Sequence, residues 1–215
     1  MWAPPDDRLH VRVAAEASRL RDPDTGLPFR ARPDIVVHWT GGRLHVSADP
    51  SVESVPAALV ALARHHPLIH VVAAVDSALH LGLAFRSELE HAFLAAGPTL
   101  RRALEVADHR AESGTETVAR IRLSDAGIDG VSQAEFGRHR VDLLIDGWLA
   151  LEVDGREFHG SAEQSTRDYR RDAELTLRGL HVMHFSYAQV FHEWPTTLAA
   201  IRTALTAGRA ALASH

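Results

Sequence analysis

The chain of 215 residues contains no cysteine. Disulfides and thiolate metal sites are therefore excluded. No run approaches the roughly 18 apolar residues that a membrane-spanning helix needs. The first residues include Asp6 and Asp7 and offer no apolar stretch of the signal-peptide kind, so a soluble cytoplasmic protein is expected. Lysine is missing as well. All 23 basic residues other than histidine are arginine, which reads as the codon bias of a GC-rich genome. One chemical consequence follows: no lysine ammonium exists to serve in a site. There is no phosphate-binding Gly-rich loop and no nucleophile elbow. Strong positive charge is absent too. A net charge of −5 and a pI near 6.3 argue against a protein that coats nucleic acid non-specifically. An enzyme that meets nucleic acid through a local basic patch stays compatible with them.

What is present suits a globular protein of one or two domains. Apolar content of 46% and charged content of 24% are ordinary, and the length can bury a real core. The 15 histidines are many and read as scattered solvent-facing residues rather than a metal site. Three sections follow one another. Residues 1–52 read as short strands, with Leu9–Ala15 as one and a hairpin formed by Asp34–Trp39 and Arg43–Ser47 around Gly41-Gly42. Arg21–Pro28 is loop chemistry. Residues 53–110 read as a helical module with helices at 54–64, 70–81, 86–96 and 99–106. Residues 111–215 predict a helix at 113–126, a strand at 131–137, a hairpin at 141–153, a helix at 166–178, a strand at 181–186 and a helix at 195–207. The strands at 149–153 and 181–186, joined by a helix, should be parallel.

The hairpin carries the chemistry. Val141, Leu143 and Ile145, then Leu149, Leu151 and Val153, place apolar residues on odd numbers. Side chains alternate faces on a strand, so both odd sets should face one core. Odd residues must then oppose odd residues, and Asp142, Glu152 and Asp154 share the other face. A two-residue Asp146-Gly147 turn breaks that parity. A three-residue loop with Gly147 in the left-handed region restores it, and a bulged hairpin with Leu144 near Trp148 is expected. Converging carboxylates are what a hard divalent cation requires. The alternative is a solvated polar face, although aspartate is a poor strand former and stacked like charges repel.

Four further features are candidates. Glu116 fits either a capping box begun by Ser113 or a carboxylate aimed at the hairpin. His159, just past the strand end, is placed for a general base or for orienting water. The run from Thr166 to Asp172 is a charged start of a helix. From it Asp168 could aim at His159, and Arg167, Arg170 and Arg171 could meet phosphates. By contrast, Arg32-Pro33-Asp34 lacks a following acidic pair. His65, His66 and His70 lack a carboxylate pattern, and so do His181 and His184, which fall on opposite strand faces.

The order helix with Glu, strand with Asp, strand with Glu-x-acid, helix, strand resembles the PD-(D/E)XK nuclease superfamily. More closely, Arg140-Val141-Asp142, Leu151-Glu152-Val153-Asp154-Gly155 leading to His159, Arg167-Asp168, Arg171-Asp172 and the segment 177–185 resemble very-short-patch-repair (Vsr)-like endonuclease domains. The resemblance covers roughly residues 112–207. Upstream, 53–108 is similar to the helical segment of actinobacterial proteins of the abortive-infection antitoxin type, although no winged helix is evident here. The resemblance implies an α/β fold with a restriction-endonuclease-like αβββαβ core, a mixed sheet flanked by helices. It implies Mg²⁺ or Mn²⁺ on Asp142 and Glu152, with the Val153 carbonyl, and His159 working with Asp168 on a water. Arg140, Arg167, Arg170 and Arg171 would bind nucleic acid, in the first place DNA. Asp154 stands where the wider superfamily has lysine, a departure the Vsr-like branch shares. The implied activity is a metal-dependent endodeoxyribonuclease. The alternative is a DNA-binding or antitoxin-like regulator that uses the fold without turnover.

Overall fold

In the computed structural model, residues 1–5, 8–14, 17–40, 53–154 and 162–212 are described. The N-terminal section holds strands β1 (Leu9–Ala14) and β2 (Ile35–Thr40). They pair in parallel, Leu9 against Ile35 through Ala14 against Thr40. A parallel pair needs a crossover rather than a tight turn. The stretch between them supplies one, with a bridge between Arg21 and Pro28 and a 3-10 turn at Phe29–Ala31. The first half of the expected hairpin is thus β2, which pairs in parallel with β1. The hairpin's other expected strand, 43–47, lies outside the described residues.

Four helices follow: α1 (Val55–Leu62), α2 (Leu68–His80), α3 (Arg86–Leu94) and α4 (Pro98–Glu105). They enclose one apolar cluster centred on Leu59, Val71, Val75, Leu89, Phe93 and Leu100. Five imidazoles gather where this module meets the small sheet. His10 of β1 and His38 of β2 stack with ring centroids 5.0 Å apart. His65 lies 4.7 Å from His38, His66 6.2 Å from His10, and His70 6.1 Å from His66. His70 in turn reaches Phe191 at 6.4 Å.

The last section is α5 (Gly114–Asp125), β3 (Gly130–Phe136), β4 (His139–Ile145), β5 (Leu149–Asp154), α6 (Ala162–Leu177), β6 (His181–Ser186), α7 (Tyr187–Phe191) and α8 (Trp194–Leu212). Its sheet order is β3-β4-β5-β6, antiparallel except for the parallel β5–β6 pair. This is the expected αβββαβ order, a mixed sheet with helices on both faces. α5, α7 and α8 cover one face through Val118, Leu123, Val190, Ile201 and Leu205 against Leu143, Ile145, Leu149 and Leu151. Leu175 of α6 covers the other, with Val141, Ala150 and Leu180.

Three expectations need correction. Leu144 opposes Ala150, not Trp148, and the loop is Asp146-Gly147-Trp148. The odd-to-odd parity holds. Both Asp146 (φ 51°) and Gly147 (φ 77°) are left-handed, and Trp148 N–H donates to the Ile145 carbonyl at 3.2 Å. Arg209 of α8 pairs with Asp146 at 2.7 Å, which helps hold that strained turn. The Trp148 ring packs against Gly208 of α8, where a Cβ would come within 2.2 Å of it. Second, the even face of the hairpin is not a purely polar one: Ala150 and Leu144 pack beneath α6. Third, α6 begins four residues earlier than its charged start suggested, and α7 was not expected at all.

α2 joins the helical module to α5. Asp76 of α2 is 1% exposed. Its carboxylate accepts from Thr117 Oγ1 at 2.9 Å, Arg120 Nη2 at 2.9 Å and the Asp108 N–H at 2.7 Å. Burial raises its pKa, and Arg120 opposes that rise. Among the described residues no helix is long and apolar enough to cross a membrane.

Candidate active site

The site begins where two strand pairs open. The β4–β5 ladder reads Ile145 with Leu149, Leu144 with Ala150 and Leu143 with Leu151. One step further the same register sets Asp142 against Glu152. There the side chain replaces the ladder: the Val153 N–H donates to Asp142 Oδ2 at 2.8 Å. On the other edge, the β3–β4 ladder skips Gln133 and Asp142. Gln133 has φ 53°, uncommon for a residue with a side chain. On the Leu143 side of this break, β4 faces the α5 cluster, whereas Val141 beyond it faces the α6 cluster. Residues two apart normally share a face. The reversal at Asp142 is why Val141 left its predicted face.

Glu116 comes from the first turn of α5. Ser113 Oγ accepts the Glu116 N–H at 3.1 Å, half of the expected capping box. The Glu116 carboxylate does not close that box. It accepts from the Glu112 N–H at 3.0 Å and from Gln133 Nε2 at 2.7 Å. Gln133 Nε2 also donates to Asp142 Oδ1 at 3.2 Å. The two expected roles of Glu116 are therefore combined, since it ties down a helix N-terminus and looks toward the hairpin carboxylates.

Glu152 enters from the α6 side. Arg171 Nη2 donates to its Oε1 at 2.6 Å and to the Arg140 carbonyl at 2.5 Å, linking α6 to β4 and β5. On the neighbouring strand, His184 stands in register with Glu152, and its Nε2 meets Asp172 Oδ2 at 2.9 Å.

Electrostatics bind these groups into one site. Glu116 and Glu152 are 6% and 8% exposed, and Asp142 is half-buried. Burial is the main force raising all three carboxyls above their ordinary values. The Asp142 charge raises Glu116 and Glu152 further, so both lie close enough to repel it. Glu152 is pushed up to about 7 despite the opposing Arg171 guanidinium.

Among the described residues, no three His, Asp or Glu side chains already surround one point as an ion's ligands would. The donor set nevertheless fits Mg²⁺ or Mn²⁺ better than zinc. Mg²⁺ keeps several waters and takes one or two carboxylates plus substrate oxygens. The half-buried Asp142 and the buried Glu152, which repel one another at a strand opening, match that demand.

No family model and no curated protein matches the chain. Among solved structures it is similar to the catalytic domain of the homing endonuclease I-Bth0305I. Identity is 18% and the TM-score 0.36, over 41% of this chain and 89% of that one.

The structure thus brings Asp142, Glu152 and Glu116 together, with Arg171 beside them. Asp154 ends β5 with an exposed side chain, and Val153 is buried next to it. Arg140 is turned to an ion pair with Glu112. Arg167 and Arg170 are exposed on α6 and Asp168 is half-buried there. His159 lies outside the described residues. Sequence reasoning missed two participants. Gln133 carried no signal, because a left-handed glutamine inside a strand follows no composition rule. His184 was set aside with His181 by alternation. That same alternation, counted across the parallel pair to Glu152, would have found it.

Proposed function

We propose that this chain is a metal-dependent endonuclease of the Vsr-like kind that hydrolyses phosphodiester bonds in DNA. The observation that carries the reading is the gathering of Asp142, Glu152 and Glu116 where β4 parts from both of its neighbours. Asp142 and Glu152, with the Val153 carbonyl, would hold Mg²⁺ or Mn²⁺. When bound, such an ion polarises a phosphoryl oxygen and lowers the pKa of water. The chain's own residues do the rest. Glu116 and Gln133 fix Asp142 from the α5 side, and the Val153 N–H fixes it from β5. Arg171 holds Glu152 and brings a guanidinium next to the position of a transferring phosphate, where it would offset transition-state charge. It supplies the cation that a lysine-free chain cannot place at Asp154. Arg167, one helical turn before Arg171, continues that charge toward the nucleic-acid backbone. We assign removal of the water proton to His159, with Asp168 as its partner.

Asp142→Asn tests the reading on supercoiled plasmid, single-stranded DNA and RNA, each with Mg²⁺, Mn²⁺ or EDTA. The wild-type protein should nick or linearise plasmid with either metal and not in EDTA, and the variant should not. Cleavage by the variant at the wild-type rate would remove Asp142 from the site.

One observation favours a second reading. The Arg171–Glu152 ion pair already neutralises a carboxylate, as a scaffold without turnover would require. A regulator of that kind binds DNA tightly and sequence-selectively in EDTA and cuts it with neither metal.

A further inference from the structure

Gln133 is not a member of the carboxylate set, yet three features converge on it. Its backbone takes φ 53°, a conformation that costs a residue with a Cβ and that glycine or asparagine would adopt more readily. It and Asp142 form the step at which the β3–β4 ladder is interrupted. Its side-chain amide spans two elements, donating to Glu116 of α5 at 2.7 Å and to Asp142 of β4 at 3.2 Å. Both partners are carboxylate oxygens, so the nitrogen side of the amide must face them, and its two hydrogens serve one acceptor each. A neutral donor is suited to this place. It draws two repelling carboxylates together without adding the charge that would compete with a cation.

We propose that Gln133 is a positioning residue for the carboxylate site: its left-handed backbone opens the ladder beside Asp142, and its amide ties Asp142 to Glu116 in a fixed orientation. Strain held at a functional position in this way is a recurring device. Without the amide, Asp142 keeps its bond to the Val153 N–H but loses the restraint on its other oxygen. The consequence for catalysis rests on the nuclease reading; the geometry of the tie does not.

Gln133→Gly and Gln133→Asn, each made in the full chain, separate backbone from amide. Glycine relieves the left-handed backbone and removes the amide. Asparagine tolerates the same backbone but falls a methylene short of spanning both carboxylates. Three quantities are read: thermal unfolding, Mn²⁺ affinity from the electron paramagnetic resonance of free ion, and kcat and KM on plasmid. For Gln133→Gly we expect a folded protein whose melting temperature falls less than that of Gln133→Ala, since relief of the left-handed backbone offsets part of the loss of the two hydrogen bonds. In both Gln133→Gly and Gln133→Asn, Mn²⁺ affinity should fall about 10–100-fold, the usual loss when a partner of a metal ligand is removed. kcat should fall with it while KM for plasmid stays put, as when an interaction made in the transition state is lost. Wild-type Mn²⁺ affinity in both variants overturns the positioning role and leaves the nuclease reading standing. Loss of fold in both also overturns it, in favour of a purely structural role. A wild-type protein that neither binds Mn²⁺ nor cuts overturns the nuclease reading, and the positioning role with it.

Discussion

Asp142 is a structural residue as well as a candidate ligand, and point substitution separates the two. Its Oδ2 takes the Val153 N–H and its Oδ1 the Gln133 amide. Asp142→Ala leaves the N–H of a buried residue without an acceptor, which costs about 1–3 kcal/mol. Asp142→Asn keeps one carbonyl oxygen for that N–H and should lose less. Urea unfolding of the two variants checks this, and equal stability of wild type and Asp142→Ala would show that the N–H finds another partner. A carboxylate on a solvated polar face would instead have predicted almost no change. Alternation did make Asp142 and Glu152 legible, because their parity follows from the apolar residues between them. Glu116 was half legible through its place after Ser113. Arg171 was marked, but as a phosphate contact; its ion pair with Glu152 depends on how α6 lies across the sheet.

Among elements, those set by local pattern were legible. Gly127 and Gly179 end helices close to where the sequence places their stops, and β4, β5 and β6 lie within two residues of their apolar runs. What failed was decided at a distance. The parallel pairing of β1 with β2 joins strands separated by a long loop, and no local rule announces it. Short α7 owes its existence to a capping box between Ser186 and Gln189 and to Val190 buried against the core. The junction of α2 with α5 was equally hidden, since Asp76 and Arg120 stand 44 positions apart. That junction gives a firm expectation. Asp76→Ala should cost about 3–5 kcal/mol, because it leaves the Arg120 guanidinium withdrawn from water without its counter-charge. Denaturant unfolding measures the loss. A change below about 0.5 kcal/mol, the size usual for a surface substitution, would mean that Arg120 simply swings into solvent.

At the scale of the whole molecule, the imidazole cluster is the seam where three parts of the chain meet. It holds rings from β1, from β2 and from the start of α2, and through His70 it touches Phe191 of α7. Burial lowers the pKa of both His38 and His70 below the ordinary 6.5. His65, His10 and Arg64 push His38 down further, as His66 and Arg122 do His70. A depressed folded pKa means that the unfolded chain takes up the proton first. The stability these rings lend is therefore whole above 6.5, and it drains away as pH falls through that value and on through their folded pKa. Amide hydrogen exchange at pH 7.5 and 5.5, corrected for intrinsic rates, should show protection lost first in β1, β2 and the start of α2, while β4 and β5 keep theirs. Uniform loss across both regions would place the acid sensitivity elsewhere. The cluster thus ties an order of release to pH: protonation of His38 and His70 would loosen the N-terminal sheet before the mixed sheet and its carboxylates.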